Sequence, residues 1–367
     1  FYYQPDDYWY LPPADPEPWW ADQFDIDIVR DSGDWAKRLK EHLPDGSLRM
    51  GDVAAIGDSP ALGDAFEPRW INPGGLVNRL LVARTRKTDY EIACIAEAAR
   101  LAAAAHVEAE QAFREGRSEF DIHLRYLSNC RHTDTQLPYN NIVALNTHGA
   151  VLHYQDRDRE PPAELHSFLI DAGCTVNAYA SDITRTYARE NGEFSELIEA
   201  MDTLELDLVG RVRAGVDYRQ LFLDSHRDIA GVLERFGIIR VSADEAVETG
   251  LSRVFYPHGL GHFLGLQTHD VAGLIDNDGQ PIPRPEGHPA LRLTRVLETG
   301  NTLTVEPGLY FIDTLLKRWR EENGPDAVNW EKVEALAPCG GIRIEDNVVV
   351  QDDGCDNLTR RAFAALN

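Results

Sequence analysis

Four acidic residues interrupt stretches that otherwise read as apolar β-strands: Asp171 in SFLIDAG, Asp182 in ASDITRTY, Glu306 in TVEPGLYF and Glu345 in GGIRIEDNVVV. A buried carboxylate is costly unless it is paired or coordinated. A turn aspartate beside glycine, as Asp171 is, would alone be structural. Arg343, two residues from Glu345 and on the same face of one strand, offers a buried ion pair. Four such acids need more positive charge than one arginine brings, and two divalent cations supply it.

The stretch VFYPHGLGHFLGLQTHD adds three histidines, His258, His262 and His269. His258 and His262 are four apart, but Gly259 and Gly261 argue against a helix and so against a helical zinc motif. One imidazole joined to four carboxylates makes an oxygen-rich site suited to manganese, cobalt or magnesium rather than to a structural zinc. The remaining histidines would be free to donate hydrogen bonds to a substrate or to a developing charge.

The elements that carry these residues follow from pattern. T-D-Y-E at Thr88 has capping-box form and opens a helical period running through Ile92, Ile95, Ala99, His106 and Phe113 to Gly116, and a second helix is expected from Ser118. NIVALN and AVLHY read as strands, SFLIDAG and VNAYASDITRTY as two more joined by a turn, and NTLTVEPGLYF and GIRIEDNVVV as later ones. Phe194 to Val212 and DYRQLFLDSHRDIAGVLERFG read as amphipathic helices, with a short helix near Leu315 to Glu322. Helices grouped between sets of strands predict an α+β fold rather than a doubly wound sheet.

At 367 residues two domains are expected, at about 100–200 residues each. Residues 1–80, rich in Trp9, Trp19, Trp20, Trp35 and Trp70, read as the remainder of an N-terminal domain and a connector, and 81–367 as the domain holding the acids. The opening FYYQPDDYWYLPP has no Met and no basic-then-apolar pattern, so the chain is expected to begin inside a domain. A formal charge of −25, from 36 Lys and Arg against 61 Asp and Glu, disfavours nucleic acid and anionic membranes as partners. No apolar run approaches the roughly 20 residues that span a bilayer. Five scattered cysteines without C-x-x-C spacing predict free thiols in a reducing cytoplasm.

Taken together, SFLIDAGCTVNAYASDITRTY, FYPHGLGHFLGLQTHDVAG, TVEPGLYF and GGIRIEDNVVV resemble, in order and spacing, the motifs of the pita-bread metallopeptidases, and most closely the bacterial Xaa-Pro dipeptidases, or prolidases. PYNNIVALN, VLHY and DYWY extend the resemblance through most of the chain. It implies a pita-bread catalytic domain with two divalent ions, manganese first, with cobalt, magnesium or zinc as alternatives. Asp171 would ligate one metal, Asp182 and Glu345 bridge both, and His262 and Glu306 complete the other. His258 and His269 match histidines that orient substrate and steady a tetrahedral intermediate, and Glu306 is the candidate proton shuttle. Tyr139 matches a pocket-wall residue, His153 and Arg292 a clamp for the dipeptide carboxylate, and Arg343 a neighbour of the bridging glutamate. The resemblance also implies a homodimer, and activity on organophosphorus triesters in some relatives.

Two alternatives stand beside this reading. Aminopeptidase P shares the five ligands but takes longer peptides; the match of Arg292 and of DYWY favours the dipeptidase. A non-catalytic binding protein of the same fold is disfavoured because all five ligand positions are filled. Thr268, before His269, puts a hydroxyl where close relatives carry a β-branched apolar residue, which bears on the pocket's preference. His42, His123, His226 and His288 stand in no motif and are expected at the surface, and Cys174 in the core.

Overall fold

The aromatic opening forms a short parallel pair, β1 (Tyr2–Tyr3) with β2 (Ile28–Val29), and the Tyr2 ring stands edge-on to Trp20 at 5.9 Å on α1 (Pro18–Ala21). These belong to the first of two units into which the chain divides, Phe1–Leu80 and Leu81–Asn367. The computed structural model describes residues 2–31, 33, 34, 38, 54–58, 63, 66 and 68–366; Trp35 and His42 lie outside the described residues. The stretch expected to be connector ends in a helix, α2 (Gly74–Ala83).

In the second unit, α3 (Asp89–Arg114) starts where the sequence predicts. The Thr88 hydroxyl accepts from the Glu91 amide while the Glu91 carboxylate accepts from the Thr88 amide at 2.7 Å, a reciprocal cap contributing about 1 kcal/mol. Its buried face is largely alanine, from Ala98 to Ala112, and Phe113 stacks on Phe168 at 5.3 Å. Ser118 caps α4 (Glu119–Cys130). An antiparallel sheet in the order β3 (Ile142–Leu145), β4 (Ser167–Asp171), β7 (Thr184–Ala188) packs with these helices into one core. Between β4 and β7, β5 (Thr175–Val176) and β6 (Tyr179–Ala180) form a hairpin whose turn residues Asn177 and Ala178 have φ of 49° and 67°.

Helices α5 (Glu193–Gly210), α6 (Tyr218–Arg235), α7 (Ala243–Glu248) and α8 (Ser252–Phe255) come next. They share a second core with β8 (Thr302–Val305), β9 (Gly308–Tyr310), α9 (Asp313–Asn323), α10 (Trp330–Leu336), β10 (Gly341–Arg343) and β11 (Asp346–Gln351). Strands β8, β11 and β12 (Gly354–Asn357) form an antiparallel sheet in the order 12-11-8, β9 pairs with β10, and α11 (Leu358–Ala364) closes the described chain. An isolated bridge, Thr184 to Glu345, joins the β3-β4-β7 sheet to the strand segment leading into β11. The helices lie in groups between sets of strands, as expected for α+β.

Several expectations are corrected. AVLHY is not a strand: Asn146, at φ 56°, ends β3, and Asn146–Ala150 winds into a 3-10 turn. His123 and His226 are buried, not at the surface, because His123 Nε2 bonds Asp134 Oδ1 at 2.8 Å and His226 Nδ1 meets Ser252 Oγ at 3.2 Å. His288 is half-buried. Cys174, by contrast, is fully buried in the core with α3, as expected.

Candidate metal centre

The four acids stand where strands stop, not inside them. Asp171 is the last residue of β4, Asp182 precedes β7 by two residues, Glu306 lies in the gap between β8 and β9, and Glu345 in the gap between β10 and β11. Arg343 and Glu345 therefore do not share the face of one strand. A strand interior commits side chains to alternating faces, and leaving the ladder lets the backbone turn all four carboxylates into one place. Pro307, with no N–H, ends β8's pairing directly after Glu306.

Cross-links fix each of these breaks. The Asp182 amide donates to Asn347 Oδ1 at 3.0 Å, and Asn347 Nδ2 donates back to the Asp182 carbonyl. The Glu345 amide donates to the Thr184 carbonyl at 3.1 Å while the Thr184 hydroxyl donates to Glu345 Oε2 at 2.6 Å. The Glu306 amide donates to the Leu260 carbonyl at 2.8 Å. That last bond belongs to the histidine segment, which runs beside β8 through the Phe263 to Leu303 bridge. Gly261 makes the approach possible: a Cβ there would lie 2.1 Å from the Thr304 carbonyl oxygen.

His262 Nδ1 donates to the Phe263 carbonyl at 2.9 Å, which leaves Nε2 facing the acids, whose contact raises the imidazole pKa above its ordinary value against burial. Nε2 is 3.4 Å from Asp182 Oδ2 and 3.7 Å from Glu306 Oε1. Ligand atoms of Asp182, His262 and Glu345, all three buried, lie within 4.8 Å of one another. The His269 ring stands perpendicular to that of His262 at 4.4 Å. His258 Nδ1 donates to the Gly259 carbonyl at 2.8 Å, so Nε2 accepts from the Tyr310 hydroxyl at 2.9 Å. The Tyr310 oxygen in turn accepts from Arg343 Nη1 at 2.8 Å, and Arg343 Nη2 donates to Asp171 Oδ2 at 2.7 Å.

The local charges are out of balance. Burial, reinforced by the neighbouring acids, holds the Glu345 carboxyl well above the usual carboxylate range and pushes Glu306 up to about 7 against the pull of His262 and Arg343. Burial likewise lifts Asp171 to about 6 despite Arg343. At Asp182 burial is outweighed by its contact with His262, and the carboxyl is lowered. Burial drives His258 to about 3 and His269 to about 4, so both are neutral near pH 7. Asp171 Oδ1 is buried with no hydrogen-bond partner. Crowded carboxylates, an orphaned carboxylate oxygen and an imidazole nitrogen directed at them fit divalent metal ions, which would take the place of the proton at Nε2.

All eleven residues singled out in the sequence line one cavity of about 950 Å³. Tyr139 is part of its wall and also donates to Asp182 Oδ1 at 2.5 Å. His153 and Arg292 are exposed to it, and both lie close enough to His269 to lower its pKa. Arg292 makes no side-chain ion pair or hydrogen bond among the described residues, whereas Arg295 is buried and donates to the Ile275 carbonyl at 2.5 Å. Thr268 lines the cavity as well. Sequence reasoning missed Tyr310, Thr184 and Asn347. Tyr310 and Thr184 fall within the same motifs as the ligands, where polar residues in an apolar stretch were the available signal.

Residues 93–352 match metallopeptidase family M24, and residues 1–81 match the Xaa-Pro dipeptidase N-terminal domain. A Xaa-Pro dipeptidase of Xanthomonas oryzae is 49% identical over 366 residues, covering 99% of this chain and 81% of that protein. A Xaa-Pro dipeptidase of Stenotrophomonas maltophilia is 48% identical over 368 residues, covering 100% and 81%. Among solved structures, aminopeptidase P from E. coli superposes with a TM-score of 0.62 at 27% identity, over 84% of this chain and 65% of that one. The aminopeptidase PepP of Pseudomonas aeruginosa gives 0.63 at 26%, over 92% and 75%. Among the described residues no helix is long and apolar enough to cross a membrane.

Proposed function

This chain belongs to metallopeptidase family M24, with that family's pita-bread fold, and we propose that it hydrolyses Xaa-Pro dipeptides in the cavity just described. Asp171, Asp182, His262, Glu306 and Glu345 would hold two divalent ions, manganese first, with cobalt, magnesium or zinc as alternatives, and Asp182 and Glu345 serving both. The ions supply Lewis acidity, which yields a nucleophile from water at neutral pH and polarises a carbonyl.

The chain's own residues do the rest. The bond before proline is a tertiary amide, so the enzyme has no N–H to hold there and must protonate the departing nitrogen. Glu306, which faces the cavity beside His262, takes the water proton and hands it to that nitrogen. His269, with no hydrogen bond to its ring among the described residues, steadies the oxygen of the tetrahedral intermediate. His258 has both nitrogens engaged and orients the wall from which Glu306 projects, its Nδ1 3.7 Å from Glu306 Oε2. Tyr139 and Arg343 hold Asp182 and Asp171 in position.

The observation that carries the dipeptidase reading is Arg292, an arginine at the cavity wall without an acid of its own, standing with His153 near His269. It suits the C-terminal carboxylate of a two-residue substrate, which a longer peptide does not offer at that point. The relatives named Xaa-Pro dipeptidase support the same reading; the structural neighbours named aminopeptidase keep the longer-peptide alternative in view. The test is hydrolysis of Leu-Pro against Leu-Pro-Ala by chelator-stripped protein reloaded with manganese. Metal-dependent cleavage of the dipeptide alone supports the dipeptidase, and cleavage of the tripeptide overturns it in favour of aminopeptidase P.

We further assign residues 1–80 to the remainder of an N-terminal domain with its connector and 81–367 to the catalytic domain, in line with the family matches. A reducing cytoplasm is the working setting, supported by five free thiols, and a homodimer is the assembly that the family resemblance implies. A charge of −25 speaks against nucleic acid and anionic membranes.

A further inference from the structure

A second cavity, of about 230 Å³, is lined by His226, Ser252, Arg253 and His288, with Arg227 and Asp224 also on its wall. In a chain carrying a net charge of −25, an uncommitted cation calls for a partner, and Arg253 is one: its side chain makes no hydrogen bond or ion pair among the described residues. Arg253 is exposed, and two glycines leave its guanidinium room beside the cavity. A Cβ at Gly250 would lie 2.3 Å from Arg253 Nη2, and one at Gly287 2.1 Å from Nη1. Both glycines are at positive φ, 83° and 77°, and neither carries a side chain that would occupy the space the guanidinium takes.

The other wall groups point to the same chemistry. His226 is 1% exposed, its Nδ1 meets Ser252 Oγ at 3.2 Å, and its Nε2 is buried without a hydrogen-bond partner. The His288 ring is 4.6 Å from that of His226. Asp224 is occupied by Gln220 Nε2 at 2.8 Å, and Arg227 pairs outward with Asp244 at 2.7 Å. What remains for a ligand is one free guanidinium and two imidazoles, a donor set for a small oxyanion and a poor one for a cation.

The segment that closes this cavity also builds the main one. His288 lines the smaller cavity, while Pro289, Ala290 and Arg292 line the larger. The link is short and packed: the Leu291 amide reaches the His288 carbonyl at 3.4 Å, and a Cβ on Gly259 would lie 3.0 Å from Leu291 Cα. We propose that the smaller cavity binds a small oxyanion, a phosphate or a carboxylate, between Arg253, His226 and His288, and that its occupancy sets the position of Arg292. The binding stands independently of the dipeptidase reading; the effect on the peptide rests on it.

The test is calorimetric titration of the metal-free full chain with inorganic phosphate, and separately with proline, in an amine buffer. Saturable binding is expected, weakened about tenfold or more by Arg253→Met and by His288→Gln, as for loss of a charge-assisted hydrogen bond, and unchanged by Asp182→Asn. Thermal unfolding identifies any variant that fails to fold, and the other then decides. Tighter binding of phosphate identifies a phosphate site, and tighter binding of proline a carboxylate site. No saturable heat, or binding that neither variant alters, overturns the site. On the manganese-loaded enzyme the same anion should shift KM for Leu-Pro in the wild type more than in Arg253→Met. Equal shifts would overturn the coupling while leaving the site standing, and failure to cleave Leu-Pro at all would count against the dipeptidase reading alone.

Discussion

The hydroxyl of Tyr310 donates to Nε2 of His258 across 2.9 Å while accepting from Arg343 at 2.8 Å. Since Arg343 also binds Asp171, the histidine and the aspartate are parts of one hydrogen-bonded chain that crosses the cavity wall through a phenol. The orientation of His258 is thereby tied to the residue pair that positions Asp171.

Tyr310→Phe cuts this chain and leaves a buried Arg343 donor unpaired. The expected stability cost is about 1–3 kcal/mol, with kcat falling about tenfold or more and KM for Leu-Pro nearly unchanged. Thermal unfolding and steady-state kinetics measure both; a variant with wild-type kcat would mean that His258 needs no positioning by Tyr310.

Asp182→Asn removes a carboxylate that touches Tyr139 at 2.5 Å and faces His262. Activity should fall by roughly a thousandfold or more, and elemental analysis should find less than the wild-type metal content per chain. Full metal content in the variant would remove Asp182 from the ligand set.

Arg292→Ala should raise KM for Leu-Pro by about 10- to 100-fold, the scale of a lost charge-assisted hydrogen bond, and affect the Leu-Pro amide much less. Equal losses on acid and amide would show that Arg292 does not read the carboxylate.

In chelated protein the buried acids should contribute less stability as pH rises, while the buried neutral His258 and His269 contribute more. Burial holds Glu306 at about 7 and Asp171 at about 6, above their unfolded values, so the folded state binds protons more tightly. Stability contributed this way is present at low pH and falls as pH climbs from about 4 through about 7. Metal reloading replaces the missing positive charge. The gap in Tm between reloaded and chelated protein should therefore widen from about pH 5 to about pH 8. A constant gap would mean that the acids are not the groups being neutralised.

The acids were legible in the sequence because charge inside an apolar β-stretch is costly, and that argument needs no neighbour. Their exact setting was not. Asp182, Glu306 and Glu345 read as strand residues, yet the ladders break at each of them, because cross-links such as Asn347 to Asp182 and Thr184 to Glu345 join residues more than 150 positions apart. Tyr310 escaped notice for the same reason: its role is defined by His258 and Arg343, which lie 52 residues before it and 33 after it. His123 and His226 looked like surface residues until Asp134 and Ser252 supplied the bonds that allow burial. Helix starts fared better, since Thr88 and Ser118 are capped by residues three positions away.

The bridge between Thr184 and Glu345 ties together two sets of strands that each carry half of the acids. Asp171 and Asp182 stand at one sheet, Glu306 and Glu345 at the breaks of the strands opposite, so ions held by all four, as proposed, would have to be released before the sheets could part. Held in that way they would act as a latch, and manganese-loaded protein is expected to unfold more slowly than chelated protein.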